Sequence, residues 1–271
     1  MNTSAANTLQ IGALEVTHIV AEPRAGTDTE LLPVLALHGW GADSSLMAPV
    51  AERLAPLGCQ VYAPDLPGFG ASSPPLTAWD VHQYVDFVLA YLDHLQLERV
   101  NLIGHSFGGR LGLVLAADHA DRIGRMALAD SAGVPPRQST SSQLRLRTYK
   151  AVRDTLYRVG ARSLADGLRA WYGRRYGSAD YQQAGVLRET FLKVVNEDLR
   201  PYAARVQVPT LLFWGENDQD TPLWQGQVLE NLIPDAGLII YPGAGHYSYV
   251  EHLAEFVRVV DHFFRQQGGE S

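Results

Sequence analysis

The chain has 271 residues, enough for one large domain or a core with an insertion, and folding should bury about 75% of the surface of a chain this long. With 46% hydrophobic and 19% charged residues it reads as an ordinary globular protein and not as a disordered one. A net charge of −7 argues against general nucleic-acid affinity, and a single cysteine, Cys59, rules out an intrachain disulfide.

The amino-terminal stretch MNTSAANTLQIGALEV lacks the basic and apolar regions of a signal peptide, and no run approaches the length of a membrane span. A soluble, cytoplasmic protein with no membrane or nucleic-acid partner is the expectation. From residue 34 onward, short apolar runs recur: VLALHG (34–39), QVYAPD (60–65), VNLIGH (100–105), MALADS (126–131), TLLFWG (210–215) and LIIYPG (238–243). Nearly continuous apolarity over about five residues is the pattern of strands buried on both faces, which predicts a parallel sheet. Between and after them, residues 79–95, 110–120 and 252–266 carry apolar side chains at three and four spacing, as crossover helices do.

The alternation breaks once. Residues 134–200 contain no convincing strand and read as several helices, so the core is expected over 1–133 and 201–271 with an all-helical cap, 134–200, inserted between two strands. Residues 135–200 hold eleven Arg and two Lys against six acids, a balance of +7 that leaves −14 for the rest of the chain. Tyr149, Tyr157, Trp171, Tyr172 and Tyr176 could roof an apolar pocket. The arginines are expected on solvated helix faces or paired with the acidic core.

The strand VNLIGH runs into Gly104-His105-Ser106-Phe107-Gly108, a G-x-S-x-G pattern with a helix after it. A turn this tight projects the serine from the carboxyl edge of the sheet, and the small flanking residues let strand and helix backbones approach. A serine hydroxyl is a poor nucleophile until a base takes its proton and an acid holds that base in the correct tautomer. His246, on the glycine-rich loop after LIIYPG, is the candidate base. His38 and His105 abut the same loops and read as structural, while His18, His82, His94, His119, His252 and His262 read as surface or boundary residues. Asp218, three residues beyond Gly215, is the preferred acid. Asp220 competes within its loop, and Asp130, after another strand, is a further alternative. Arg110 reads as a structural ion-pair partner.

The order Ser, Asp, His, together with the G-x-S-x-G turn, resembles the α/β-hydrolase superfamily over almost the whole chain. His38-Gly39-Trp40-Gly41 is similar to that family's oxyanion loop, and Asp65-Leu66-Pro67-Gly68-Phe69-Gly70-Ala71-Ser72 to its D-x-P-G-x-G-x-S segment. The resemblance implies an α/β-hydrolase fold, a mostly parallel central sheet flanked by helices, with the cap after the sixth strand. It also implies an oxyanion hole made by the backbone N–H groups of Trp40 and Phe107. Glu251-His252-Leu253 departs from relatives that carry a proline there, at the start of the last helix.

No H-E-x-x-H or C-x-x-C spacing offers a metal site, and no phosphate-binding glycine loop supports a nucleotide, so no cofactor and no metal are expected. Serine in the turn, in place of aspartate, disfavours carbon-centre attack by a carboxylate and leaves acyl transfer to water. The expected activity is a carboxylesterase-like hydrolysis of small to medium esters. A lactonase, thioesterase or carbon–carbon bond hydrolase would use the same residues, and a ligand-binding receptor on a hydrolase fold is the alternative from another class.

Overall fold

The computed structural model describes residues 5–23, 31–137, 140–176 and 184–266. Eight strands form one sheet: β1 (Ala5–Ile11), β2 (Leu14–Ala21), β3 (Val34–Leu37), β4 (Val61–Pro64), β5 (Val100–His105), β6 (Ile123–Ala129), β7 (Thr210–Gly215) and β8 (Ala236–Tyr241). Their spatial order is β1-β2-β4-β3-β5-β6-β7-β8. The first two strands pair antiparallel with each other, and β2 pairs antiparallel with β4. From β4 to β8 all pairing is parallel.

The six apolar runs became the six parallel strands, and β3 and β5 are buried at every position, as strands covered on both faces must be. The amino-terminal hairpin carries mixed, half-exposed residues and extends the edge of the sheet beyond the parallel part. Its Gly12, at φ +56°, makes the tight turn between β1 and β2.

Helices cover both faces. On one, α2 (Val81–His94) and α3 (Phe107–Asp118) bury Tyr84, Val88, Tyr91, Leu111 and Leu115 against the even-spaced side chains of β5 and β6, among them Leu102, Met126 and Leu128. Asp80 starts α2 with a reciprocal capping box: its carboxylate accepts from Gln83 N–H at 3.0 Å while the Gln83 side chain accepts from Asp80 N–H at 3.1 Å. On the other face, α1 (Ala48–Leu54) and the last helix (Leu253–Arg265) bury Val50, Leu54, Phe256 and Val260 against Ala36, Ile103 and Phe213. His18 departs from its surface reading. It is buried, with its Nδ1 2.7 Å from the Tyr91 hydroxyl, because the β2 face that carries it is covered by α2.

Between β6 and β7 the described residues hold only helices. α4 (Thr140–Arg158) and α5 (Arg162–Tyr176) form a hairpin packed mainly on itself, with Tyr149 and Tyr172 stacked at 3.9 Å. The later helix, Arg188–Asn196, turns Thr190, Phe191 and Val194 down onto the sheet side. It is tied there by Trp79 N–H donating to Thr190 Oγ1 at 3.2 Å and by Lys193 Nζ donating to the Ala78 carbonyl at 2.5 Å. Arg110 makes no ion pair among the described residues. Its guanidinium, buried below this exit, donates to the Glu197 carbonyl at 2.5 Å instead of to a carboxylate.

Candidate active site

Parallel strands bring their carboxyl ends to one edge of the sheet, and loops leaving that edge build sites. Five candidates sit there: His38 after β3, Ser106 after β5, Asp130 after β6, Asp218 after β7 and His246 after β8. Ser106 and His246, 140 residues apart in sequence, come within hydrogen-bond distance here.

Ser106 occupies the turn between β5 and α3 at φ +49°, ψ −104°, a conformation that costs energy for a non-glycine residue. The neighbouring glycines make it attainable. A Cβ on Gly104 would lie 2.8 Å from the Gly108 carbonyl oxygen, and one on Gly108 would lie 2.2 Å from that of Leu37. Only hydrogen fits at either place.

The Ser106 hydroxyl lies 3.1 Å from His246 Nε2 and the opposite ring nitrogen, Nδ1, lies 2.8 Å from Asp218 Oδ2. Asp218 is wholly buried at its side chain, His246 nearly so. The Asp218 carboxylate also accepts from Asp220 N–H at 2.8 Å, from Thr221 N–H at 3.0 Å and from the Thr221 hydroxyl at 2.7 Å. Burial pulls its pKa upward, but the His246 bond and charge and the Thr221 donors outweigh burial, so the carboxyl is held below its ordinary value. For His246, burial favours the neutral ring, yet the hydrogen bond and charge of Asp218 prevail and raise the imidazole above its ordinary value. A charged carboxylate beside an imidazole of raised pKa is an arrangement that can take up and hold a proton.

Among the described residues neither alternative acid is hydrogen-bonded to the His246 ring, although the Asp220 carboxylate lies within 4.8 Å of it. Asp220 is exposed and reaches Asp218 only through its backbone N–H. Asp130, fully buried at φ +48°, accepts from Gly215 N–H at 2.8 Å and from the Ser248 N–H and hydroxyl at 3.0 and 2.7 Å. Its carboxylate is thus committed to the loops that carry Asp218 and His246, and burial pushes its pKa up to about 7. Thr221 and Ser248 were not singled out from sequence. The spacing Asp218-x-x-Thr221, a side-chain carboxylate capping its own turn, is the signal that could have found the first.

The His38–Gly41 loop is fixed from behind. His38 Nε2 accepts from Leu66 N–H at 2.9 Å, which places the ring proton on Nδ1, where it donates to the Gly39 carbonyl at 2.7 Å. Asp65 accepts from Ser44 and Ala71 N–H groups and so shapes the 65–72 segment that supports His38. Phe107 opens α3, so its N–H has no acceptor within the helix. The Trp40 ring meets Phe69, Phe107 and Phe191 edge-on at 4.9 to 5.4 Å between centroids.

The aromatic contact from the helical insertion to this loop is therefore Phe191, joined by Leu187 over Gly68. Of the five aromatics read as a pocket roof, Tyr149, Tyr172 and Trp171 line an apolar groove of about 490 Å³ within the α4–α5 hairpin. Tyr157 donates to Asp166 at 2.6 Å on an exposed surface, and the side chain of Tyr176 lies outside the described residues. Phe191 was legible as one of the apolar positions Leu187, Phe191 and Val194 at helical spacing.

Among the described residues, Asp218, Asp220 and His246 are the cluster whose atoms could converge on a metal ion. Asp218 already accepts four hydrogen bonds and His246 Nδ1 carries the proton donated to it, so this donor set is engaged within the protein.

The model of the alpha/beta hydrolase fold family matches residues 33–253. The chain belongs to that family. The match spans every element from β3 to the start of the last helix, including Ser106, Asp218 and His246. A pimeloyl-[acyl-carrier protein] methyl ester esterase from Chromobacterium violaceum is 34% identical over 242 residues, covering 84% of this chain and 92% of that protein. A 2-hydroxymuconate semialdehyde hydrolase from Pseudomonas sp. is 27% identical over 276 residues, covering 86% and 87%. Among solved structures, the enol-lactonase from Burkholderia xenovorans LB400 superposes with a TM-score of 0.70 at 27% identity, covering 96% of this chain and all of that one. The chain is thus a hydrolase of this family, and no helix among its described residues is long and apolar enough to cross a membrane.

Proposed function

We propose that this protein is a serine hydrolase that cleaves carboxylic esters of small to medium size without a cofactor, through an acyl-enzyme on Ser106. The observation that carries the reading is the continuous chain of hydrogen bonds from Ser106 Oγ through His246 to buried Asp218. His246 Nε2 takes the hydroxyl proton as Ser106 Oγ attacks the ester carbonyl, and Asp218 stabilises the imidazolium. The negative charge forming on the carbonyl oxygen is met by the N–H groups of Trp40 and Phe107, donors of a kind worth about 3 to 4 kcal/mol each in the transition state. His246 then gives its proton to the departing alkoxide. Water, deprotonated by the same ring, cleaves the acyl-enzyme and returns Ser106 with its proton.

The helical insertion of residues 134–200 is read as a cap over this edge, with Phe191 reaching Trp40 of the oxyanion loop and Leu187 lying over Gly68. Ester cleavage is favoured by the likeness to the methyl ester esterase, the relative with the higher identity of those described. Likeness to the semialdehyde hydrolase and the enol-lactonase supports a second reading, a carbon–carbon bond hydrolase or lactonase working through the same three residues.

Hydrolysis of p-nitrophenyl esters of graded acyl length, wild type beside Ser106→Ala, tests the proposal. Serine-dependent turnover of about 1 per second or faster with a chain-length optimum is expected. A folded wild type that turns over enol-lactones or ring-cleavage products but none of the esters selects the second reading. Slow binding without turnover on any of them would point to a receptor.

A further inference from the structure

His105 stands next to the nucleophile but takes no part in the proton transfers described above. Its ring is buried and touches the loop after β8 and the loop after β3 at once. The Nε2 atom lies 2.8 Å from the backbone carbonyl oxygen of His246. A carbonyl can only accept, so Nε2 carries the ring proton and donates it. The other nitrogen, Nδ1, is buried without a hydrogen-bond partner among the described residues and faces Gly39, where a Cβ would come within 2.8 Å of it. The ring also packs beside His246, Tyr247 and Tyr249, at 5.0 to 5.1 Å between centroids.

We infer that His105 is a positioning residue for catalysis: its Nε2–H pins the backbone of His246, holding the imidazole at the height from which it reaches both Ser106 and Asp218. The inference rests on the serine-hydrolase reading. The segment that carries His246 is Pro242-Gly243-Ala244-Gly245, with Gly243 at φ +76°, a backbone with few intrinsic restraints. Other anchors fall on neighbouring residues: Gly243 N–H on Glu216, the Ala244 carbonyl on Asn217 N–H, Gly245 N–H on Glu251, and Ser248 on Asp130. The bond from His105 is made to the carbonyl of the base itself.

The position of His105 adds a second restraint. Because it directly precedes Ser106 and abuts Gly39, it references the base to the nucleophile and to the oxyanion loop. Burial, with the neighbouring His246, holds its imidazole neutral, pushing its pKa down to about 3. A neutral ring places no positive charge beside His246, whose own protonation is governed by Asp218, Asp130 and Asp220.

The test compares wild type, Ser106→Ala, His105→Phe, His105→Asn and His105→Gln on one p-nitrophenyl ester. Phenylalanine keeps the ring without the donor, asparagine carries an amide too short to reach, and glutamine offers an N–H at similar reach. His105→Phe and His105→Asn should lose roughly 30- to 100-fold in kcat, the scale of a misplaced catalytic group. KM should stay within about threefold, since ground-state binding is untouched. The acidic limb of kcat/KM should move to lower pH as the His246–Asp218 bond loosens, and His105→Gln should recover most of both.

A His105→Phe variant with wild-type kcat and an unmoved limb would overturn the proposal, as would equal losses in the Phe and Gln variants. If Ser106→Ala is inactive while His105→Phe is intact, only the positioning role fails. If Ser106→Ala remains active, the serine-hydrolase reading fails and takes this one with it. Should the variants not fold, 15N NMR of the wild-type histidines decides: the His105 ring must be neutral, protonated at Nε2 and untitrating across the working pH range, and any other result refutes it.

Discussion

The carboxyl edge of the sheet and the α4–α5 hairpin are built on opposite terms. At the edge, Ser106, Asp130, Asp218 and His246 are held by hydrogen bonds that cross from loop to loop, and little of them is exposed. In the hairpin, Leu144, Val159, Leu164 and Trp171 are half or more exposed, and arginines crowd both helices. The edge can set only one geometry, which suits bond-making. The hairpin packs chiefly on itself, so its residues can change without moving the side chains at the edge.

Mutations should divide along that line. Ser106→Ala is expected to lower kcat by about 10⁶ and Asp218→Asn by about 10⁴, measured on any ester that the wild type turns over. Asp130→Asn should cost far less than Asp218→Asn, and the reverse ranking would move the acid to β6. Stability follows the same division: Leu102→Ala in β5 should cost about 2 to 5 kcal/mol in urea unfolding, and Leu144→Ala no more than about 0.5.

Within the insertion, the two parts separate. Phe191→Ala, which removes the contact to Trp40, should raise KM roughly 10-fold. Trp171→Ala in the hairpin should change it by less than about threefold. A larger effect at Trp171 would extend the substrate site into the α4–α5 groove.

The smallest effects are in pH. His246 must be neutral to act as base, and Asp218 raises its pKa, so kcat/KM should fall on the acid side with a midpoint above 6.5. Replacing Asp218 with Asn should lower that midpoint. Asp130 acts on stability with the opposite sense to a paired carboxylate. Between 3.8, its ordinary value, and about 7, its folded value, the native protein holds a proton that the unfolded chain has lost. Its contribution therefore declines as pH rises through that window, and Asp130→Asn should lessen the decline in the urea midpoint.

The parallel sheet was legible because β3, β5 and β7 are apolar almost throughout, a pattern set by burial on both faces. The amino-terminal hairpin escaped it, since Leu14–Ala21 mixes polar and apolar residues in a half-covered edge strand. Ser106 was legible from its glycines, because a short-range steric need leaves a short-range signature. Asp218 was preferred to Asp130 for its place three residues beyond Gly215, but no short-range signature separates the two. Both follow a strand at the same edge, and nothing local says which carboxylate will face the imidazole.

Local chemistry along the chain thus determined the strands, the strained serine turn and the residue types able to move a proton. Tertiary structure alone decided that Asp218 meets His246 while Asp130 binds Gly215 and Ser248, that His105 donates to the carbonyl of His246, and that Phe191 reaches Trp40. Those choices depend on the angles at which distant loops converge on one sheet edge, and such angles arise from the packing of the whole sheet and its helices.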